Sequence, residues 1–418
     1  MFEALANAFR VPDLRKKILF TLAIIALYRV GSHIPVPGVS RAMIDQLTTA
    51  TSTGALGLLN LFSGGAMQNF AIFALGIMPY ITSSIIMQLM QAVIPQLEKW
   101  SKEGETGQRK ITQITRYMTL VLGLVESVAL MFTFQSQLGV RFSPVTMILI
   151  VVSLVAGTAF IMWMGELITQ RGIGNGMSLL IFASIVSRFP QTLLQSFQLN
   201  QWYWAVAVIL AAFGIIVAIV TMERAQRRIP VQYAKRVVGR KVFGGVGTYI
   251  PLKLNAANVV PIIFASSVLN FPVVLAGLSN VGWLKNVANA LASGFLNWSL
   301  MAVLIVFFSY FYTALIFNPI DLADNLRKQG GFIPGVRPGK ATSQHIEHVL
   351  NRITLPGALF LAAIATVPTL LFQASGDSMS LLRMFGGTSI LIMVGVALET
   401  MTQLESQLKM RHYDGFFK

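Results

Sequence analysis

Few residues in this sequence could do covalent chemistry, and they do not form a catalytic or metal-binding pattern. There is no cysteine, which excludes a thiolate nucleophile and a Cys-ligated metal. His345 and His348 have the i, i+3 spacing of one helix face, but no third metal ligand accompanies them. Glu126 lies in the middle of an apolar segment, where a carboxylate is costly and is by default functional. We therefore predict no enzyme, no bound metal and no cofactor.

The segment 57–94 combines a short apolar piece, a glycine turn and one long apolar run. Residues 58–62 are too few to cross the hydrocarbon layer, which takes about 20 helical residues, whereas 70–94 is long enough. A short helix beside a full span needs protein or water around it, so the pattern predicts a plug or re-entrant element. The predicted span has a stripe at i, i+4, i+7 and i+11 that favours a pore lining: Ile77, Ile81, Ser84 and Gln88.

The composition is that of a membrane protein with many spans. Of 418 residues, 55% are hydrophobic and only 11% are charged, against about 25% charged in soluble domains. Hydropathy indicates ten spans, at 18–34, 70–94, 117–134, 146–168, 177–197, 202–222, 259–278, 296–317, 353–372 and 385–404.

Lysine and arginine residues orient these spans, because cytoplasmic loops carry an excess of both. With the N-terminus in the cytoplasm, 26 of the 32 basic residues fall on that side. We therefore expect both termini to be cytoplasmic, as in a multi-pass protein of a bacterial inner membrane. The N-terminal segment has no small-residue cleavage site after its apolar run, so we expect no removable signal peptide.

Ten spans divide into two sets of five that begin on opposite sides of the membrane, which permits an inverted repeat. We expect an all-α polytopic membrane protein with two pseudo-symmetric inverted five-helix halves and a re-entrant plug helix. The N-terminal half would be 1–198, with the plug at about 57–68. The C-terminal half would be 199–418, with two long basic cytoplasmic loops at 223–258 and 318–353.

The two cytoplasmic loops carry arginines at positions shaped by glycine and proline rather than at the ends of spans. The segment from Gly330 to Gly339 predicts a rigid exposed turn. One interpretation is that the charges only enforce topology. The other is a docking surface for an anionic or acidic partner, such as ribosomal RNA or an acidic protein face, formed by Arg227, Arg228, Arg240 and Arg337.

A series of motifs, in order along about residues 15–405, resembles the SecY family, the central subunit of the bacterial protein-conducting channel. The motifs are FSGGA, FALGIMPYI, EGETGQRK, GELITQRGIGNG, QRRIPVQYAKR, FYTALIFNP, ADNLRKQGGFIPGVRPG and FGGTSILI. The resemblance implies a ten-span clamshell with an hourglass pore, a plug and a lateral gate. It also implies the partners SecE, SecG, the SecA motor ATPase and the ribosome, together with signal-sequence-bearing polypeptides and membrane lipids.

The resemblance also implies roles for individual residues. The pore ring would be Ile77, Ile81, Ile181, Ile263 and Ile392. The plug would contain Leu58, Leu61, Phe62, Ser63, Gly64 and Gly65. The lateral gate, between the 70–94 and 259–278 spans, would involve Thr82, Gln88, Glu126, Asn270 and Phe271.

The function implied is a channel that passes unfolded secretory polypeptides and releases hydrophobic segments sideways into lipid. The alternative is a secondary transporter of a small solute, which shares inverted repeats and broken helices. Such a transporter needs midplane ligands, and here only Glu126 qualifies, without a partner charge.

Overall fold

A computed structural model describes residues 9–39, 63–138, 142–198, 202–233, 236–238, 241–243, 247–278, 282–292, 294–374 and 386–414. These residues form thirteen helices and five strands. The helices are α1 (Pro12–Gly31), α2 (Met78–Val93), α3 (Pro95–Lys102), α4 (Glu105–Leu138), α5 (Pro144–Arg171), α6 (Gly176–Gln198), α7 (Trp202–Arg224), α8 (Val260–Leu278), α9 (Gly282–Ala292), α10 (Phe295–Ile316), α11 (Pro319–Lys328), α12 (Lys340–Ala374) and α13 (Gly387–Asp414). The strands are β1 (Gln226–Tyr233), β2 (Arg236–Val238), β3 (Lys241–Phe243), β4 (Thr248–Lys253) and β5 (Gly331–Phe332).

Each of the ten expected spans overlaps one helix, namely α1, α2, α4 to α8, α10, α12 and α13. In the described ranges, five helical stretches are long and apolar enough to cross a membrane by length and composition. They are Glu105–Gln135, Pro144–Arg171, Phe295–Lys328, Lys340–Pro368 and Gly387–Met410. Helices α5 and α10 expose large apolar side chains as well as burying them, which is typical of helices that face lipid on one side and protein on the other.

The second span begins later than the sequence predicts, because residues 70–77 are not helical. The chain from residue 63 makes a series of turns, and α2 starts only at Met78. The backbone of 70–72 instead pairs with 34–36: Val36 N donates to Phe70 O at 2.9 Å, and Ile72 N donates to Ile34 O at 3.0 Å. Helix α2 therefore has 16 residues, or about 24 Å of length, and the expectation of a helix from residue 70 is wrong.

The plug helix expected at about 57–68 is described only from residue 63. Residues 63–68 are turns rather than helix. Leu58, Leu61 and Phe62 lie outside the described residues.

The two long basic loops, 223–258 and 318–353, contain strands that the sequence did not predict. Strands β4, β1 and β5 form an antiparallel sheet in that order, and β2 pairs with β3. Strand β5 comes from the second loop, where Phe332 pairs with Gln232 and Gly331 with Tyr233. The sheet shares a buried apolar cluster with α11 and α12, so the two loops fold together as one unit.

Glycines allow close approach at the first turns of two helices that carry expected ring residues. A Cβ atom on Gly176 would overlap the carbonyl oxygen of Gly165, so α6 starts in contact with α5. A Cβ atom on Gly387 would likewise overlap the carbonyl oxygen of Ile364, so α13 starts against α12. These contacts fix the positions of α6 and α13 relative to their neighbours.

Candidate functional site

The five isoleucines expected to form the ring all lie at the beginning of a helix. Ile77 immediately precedes α2, and the other four lie within the first six residues of α2, α6, α8 and α13. All five are buried, with 0 to 8% of each residue exposed. They belong to one continuous apolar cluster, which also includes side chains from α1, α5, α10 and α12: Ile77, Ile81, Ile181, Ile263 and Ile392.

The four helices that carry the five isoleucines pack in pairs. Helix α2 contacts α8, and α6 contacts α13. Four separate helices therefore bring branched aliphatic side chains into one cluster. An apolar constriction of this kind opposes the passage of water and ions without binding a polar chain tightly.

The turn 63–68, at the start of the described part of the expected plug, is buried against α1 and α6. Ser63 is 1% exposed. Gly64 and Gly65 have φ angles of +63° and +92°, which L side chains rarely adopt. A Cβ atom on Gly64 would lie 2.9 Å from the Cα atom of Ser184 on α6. Glycine is therefore required at this position both for the backbone angle and for the close packing on α6.

Polar side chains from α1 and α6 hold this turn. Arg29 Nη1 donates to the carbonyl oxygen of Gly64 at 3.0 Å. Arg188 Nη2 donates to Oε1 of Gln68 at 2.6 Å. Both arginines are among the six basic residues that the charge count leaves on the outer side, and their positions in apolar segments were a signal of function that was not used.

The expected lateral gate lies where α8 packs against both α2 and α4. Asn270 and Glu126 are buried, on α8 and α4 respectively, and Phe271 is half-buried on α8. Thr82, half-buried on α2, donates its hydroxyl hydrogen to the Met78 carbonyl of its own helix at 3.0 Å. The structure thus places the expected gate residues on three helices that contact one another.

Unpaired polar atoms are concentrated on the two gate helices. Across the described residues, three buried side-chain atoms lack a hydrogen-bond partner, and all three lie on α2 or α8: Gln88 Oε1, Ser267 Oγ and Asn270 Nδ2. Gln88 Oε1 and Asn270 Nδ2 are both unpaired, so they do not bond to each other. A buried unpaired polar group costs about 1–3 kcal/mol, so these three atoms lower the stability of the packing around α2 and α8. The sequence analysis missed Ser267.

Helices α4 and α5 are joined by an ion pair that the sequence analysis also missed. Arg116 donates to both carboxylate oxygens of Glu166, through Nε at 2.7 Å and Nη2 at 2.6 Å. Bidentate pairs of this kind fix orientation as well as adding energy. The pair holds α4, which carries Glu126, in a defined position on α5.

In the unit formed by the two long loops, Arg227 and Arg228 lie on β1, opposite Leu252 and Pro251 of β4, and both are exposed. The Arg228 guanidinium lies over the ring of Tyr249, with its central carbon 4.8 Å from the ring centre. This contact holds the cation on the sheet surface, where a partner can reach it.

Arg337 lies on an exposed turn whose backbone is anchored on both sides. Val336 N donates to Ile333 O at 3.0 Å, and Ile333 is buried in the apolar cluster of the unit. The buried hydroxyl of Thr342 donates to the Arg337 carbonyl oxygen at 2.9 Å. The turn is therefore a fixed platform for an exposed cation. Arg240 lies outside the described residues.

Comparison with known proteins assigns the family. The family model of SecY matches residues 71–401. The chain belongs to the SecY family. It is 49% identical to the protein translocase subunit SecY of Streptomyces galbus and 45% identical to that of Mycobacterium tuberculosis (strain H37Rv), over all of both chains in each case. Membership confirms protein translocation as the function of this chain and excludes the alternative of a small-solute transporter.

The fold is that of solved channels of this type. The structure of a protein-conducting channel matches with a TM-score of 0.65 and 17% identity, covering 94% of this chain and 92% of the other. Sec61 in the canine ribosome–channel complex matches with a TM-score of 0.61 and 16% identity over the same shares. These matches confirm the expected fold class, a mostly helical multi-pass membrane protein.

Proposed function

We propose that this chain forms the pore of a translocase, in which unfolded secretory polypeptides pass through the ring of five isoleucines. The observation that carries the proposal is the convergence of these residues, from four helices, in one buried cluster. The channel performs no bond chemistry of its own. Its work is to seal, to open, and to let a passing segment choose between water and lipid.

The lateral gate between α2 and α8 makes that choice possible. A segment of about 20 apolar residues gains free energy by leaving an aqueous pore for hydrocarbon, whereas a polar segment does not. Unpaired polar atoms on both helices lower the stability of the closed gate. A signal sequence that inserts between α2 and α8 therefore has to separate two helices whose contact the unpaired atoms have already weakened. Glu126 adds a buried carboxyl group to α4, which contacts both α2 and α8.

We further propose that the chain has two five-helix halves, 1–198 and 199–418, and that it assembles with SecE and SecG. The unit formed by the two long loops lies in the cytoplasm in this proposal, where it docks the SecA motor or a translating ribosome. Two observations support docking: the arginines of β1 are exposed on a sheet, and Arg337 is exposed on an anchored turn. One structural relative is Sec61 in a ribosome–channel complex, and another is a yeast Ssh1 complex bound to the 80S ribosome.

The charge distribution supports an orientation with both termini and both long loops in the cytoplasm. The chain has no native cysteine, so the single variant Arg337→Cys reports on one position without background. We expect a membrane-impermeant maleimide to label it in inside-out vesicles and not in intact cells. Labelling from outside intact cells would overturn the orientation.

Docking through Arg337 is expected to depend on the guanidinium group itself. Arg337→Glu should reduce motor-driven export into proteoliposomes by on the order of tenfold, because a charge-assisted hydrogen bond contributes about 1.5–3 kcal/mol. Arg337→Lys should give a smaller loss, since lysine cannot form a planar bidentate contact. The abundance of the channel in the membrane should stay normal.

The matched control is Lys340→Glu, which makes the same charge reversal at an exposed position three residues further along. We expect it to export at close to the wild-type rate. If Arg337→Glu also exports normally, the turn is only structural and the docking proposal fails.

A further inference from the structure

We infer that Arg29 and Arg188 form a two-arginine latch that keeps the turn 63–68 closed, and that releasing this latch is a step in opening the channel. The inference rests on the proposed function, because the turn leads from the expected plug into α2. It assigns a role to two residues that the pore ring, the gate and the docking loops do not use.

The latch grips the turn near both of its ends. Arg29 comes from the last turn of α1 and binds the main-chain carbonyl of Gly64. Arg188 comes from α6 and binds the side-chain amide oxygen of Gln68. Between these two contacts the turn is closed by its own hydrogen bonds, including Met67 N to Ser63 Oγ at 3.2 Å. Two helices therefore hold a turn that neither belongs to.

A third contact aligns the two helices behind the turn. The hydroxyl oxygens of Tyr28 on α1 and Ser184 on α6 lie 2.6 Å apart. Tyr28 is 1% exposed, and its ring stacks on Phe73 with ring centres 5.7 Å apart. Tyr28 precedes Arg29 and Ser184 lies one helical turn before Arg188, so this contact sets the separation of the two arginines.

The electrostatics make the latch breakable. The guanidinium group of Arg29 lies beside Gly64 and that of Arg188 lies beside Gly65, so two like charges face adjacent residues of the turn. The groups that these contacts use on the turn are a carbonyl and a neutral amide, rather than a carboxylate. A neutral acceptor holds a cation less strongly than a carboxylate does. These two contacts therefore bridge two like charges through neutral acceptors, which suits a closed state that must open on demand.

The neutral acceptor suggests a test with two opposite changes. Arg188→Gln removes the cation and should raise the resting ion conductance of the purified channel in planar bilayers by on the order of tenfold. It should also increase export of a substrate with a weakened signal sequence. Gln68→Glu replaces the amide with a carboxylate beside the same guanidinium. It should lower weak-signal export by on the order of tenfold, with the channel as tightly closed at rest as the wild type.

Three controls separate the latch from general damage. Arg10→Gln removes an exposed arginine from outside the site and should leave both readouts unchanged. Ile81→Asn, in the ring, should leak and so calibrates the conductance measurement. Export of a substrate with a full-strength signal sequence by each latch variant shows that the variant is folded.

The outcomes distinguish the latch from the function on which it rests. Opposite shifts of weak-signal export in Arg188→Gln and Gln68→Glu support the latch. If both variants export strong substrates normally, and leak and weak-signal export match wild type, the latch is wrong while the channel proposal stands. If the wild-type protein exports nothing, the channel proposal fails, and the conductance of the Arg188→Gln variant still decides the latch.

Discussion

We expect a disulfide between α2 and α8, formed from Thr82→Cys and Phe271→Cys, to abolish both polypeptide export and membrane insertion. The two helices are in contact, and both positions are at the expected gate. A signal sequence must separate the helices before the pore opens, so a covalent bond across them blocks both routes. Activity should return on reduction, which distinguishes a locked gate from a misfolded protein.

The absence of native cysteine makes this test free of background. Each single variant should remain active under oxidation. A control pairs Thr82→Cys with Val303→Cys, since Val303 lies on another helix, α10, and is 64% exposed. That pair should stay reduced, because a disulfide requires Cα atoms about 4.4–6.8 Å apart and facing Cβ atoms. Full activity with the bond formed between positions 82 and 271 would end the lateral-gate proposal.

A long apolar run indicates a membrane helix, and each of the ten expected spans overlaps a helix of the structure. The prediction failed at the start of α2, because residues 70–77 are as apolar as a membrane helix. Their backbone pairs with 34–36 instead, and no property of residues 70–77 alone encodes that partner. Gly76, with a φ angle of +58°, was the local signal of a break.

The strands of the two long loops were missed although one signal was present. In β1, buried Ile229 and Val231 alternate with exposed Pro230 and Gln232, which is the period of a half-buried strand. The basic composition of the loop hid this pattern. The pairing of β1 with β5, from a segment about 100 residues away, could not be inferred from either loop alone.

The candidate site was also only partly predictable from the sequence. Composition does not distinguish ring isoleucines from the many other isoleucines of the spans, and only the resemblance located them. The latch was missed because Arg29 and Arg188 are 159 positions apart and their shared turn is visible only in the fold. Glu126 was conspicuous from sequence alone, and the structure confirms that it is buried on α4.

The ring is expected to control the resting leak of the channel. In the variant with Ile81→Asn and Ile263→Asn, two amides replace aliphatic groups in the buried cluster and allow water to enter. The resting conductance should rise by on the order of tenfold or more, and substrates with weak signal sequences should be accepted. The control is Val303→Asn on α10, where the side chain is 64% exposed and lies outside the apolar cluster.

In this mechanism, a signal-bearing polypeptide opens an aliphatic seal in this chain. Its most direct test is the conductance of the purified channel in a planar bilayer, recorded before and after a signal peptide is added. The wild type should be nearly closed at rest and open with the peptide, whereas the Ile81→Asn, Ile263→Asn variant should be open throughout. If the wild type never responds to the peptide, or if the ring variant has a resting conductance as low as the wild type, the five isoleucines do not form the seal.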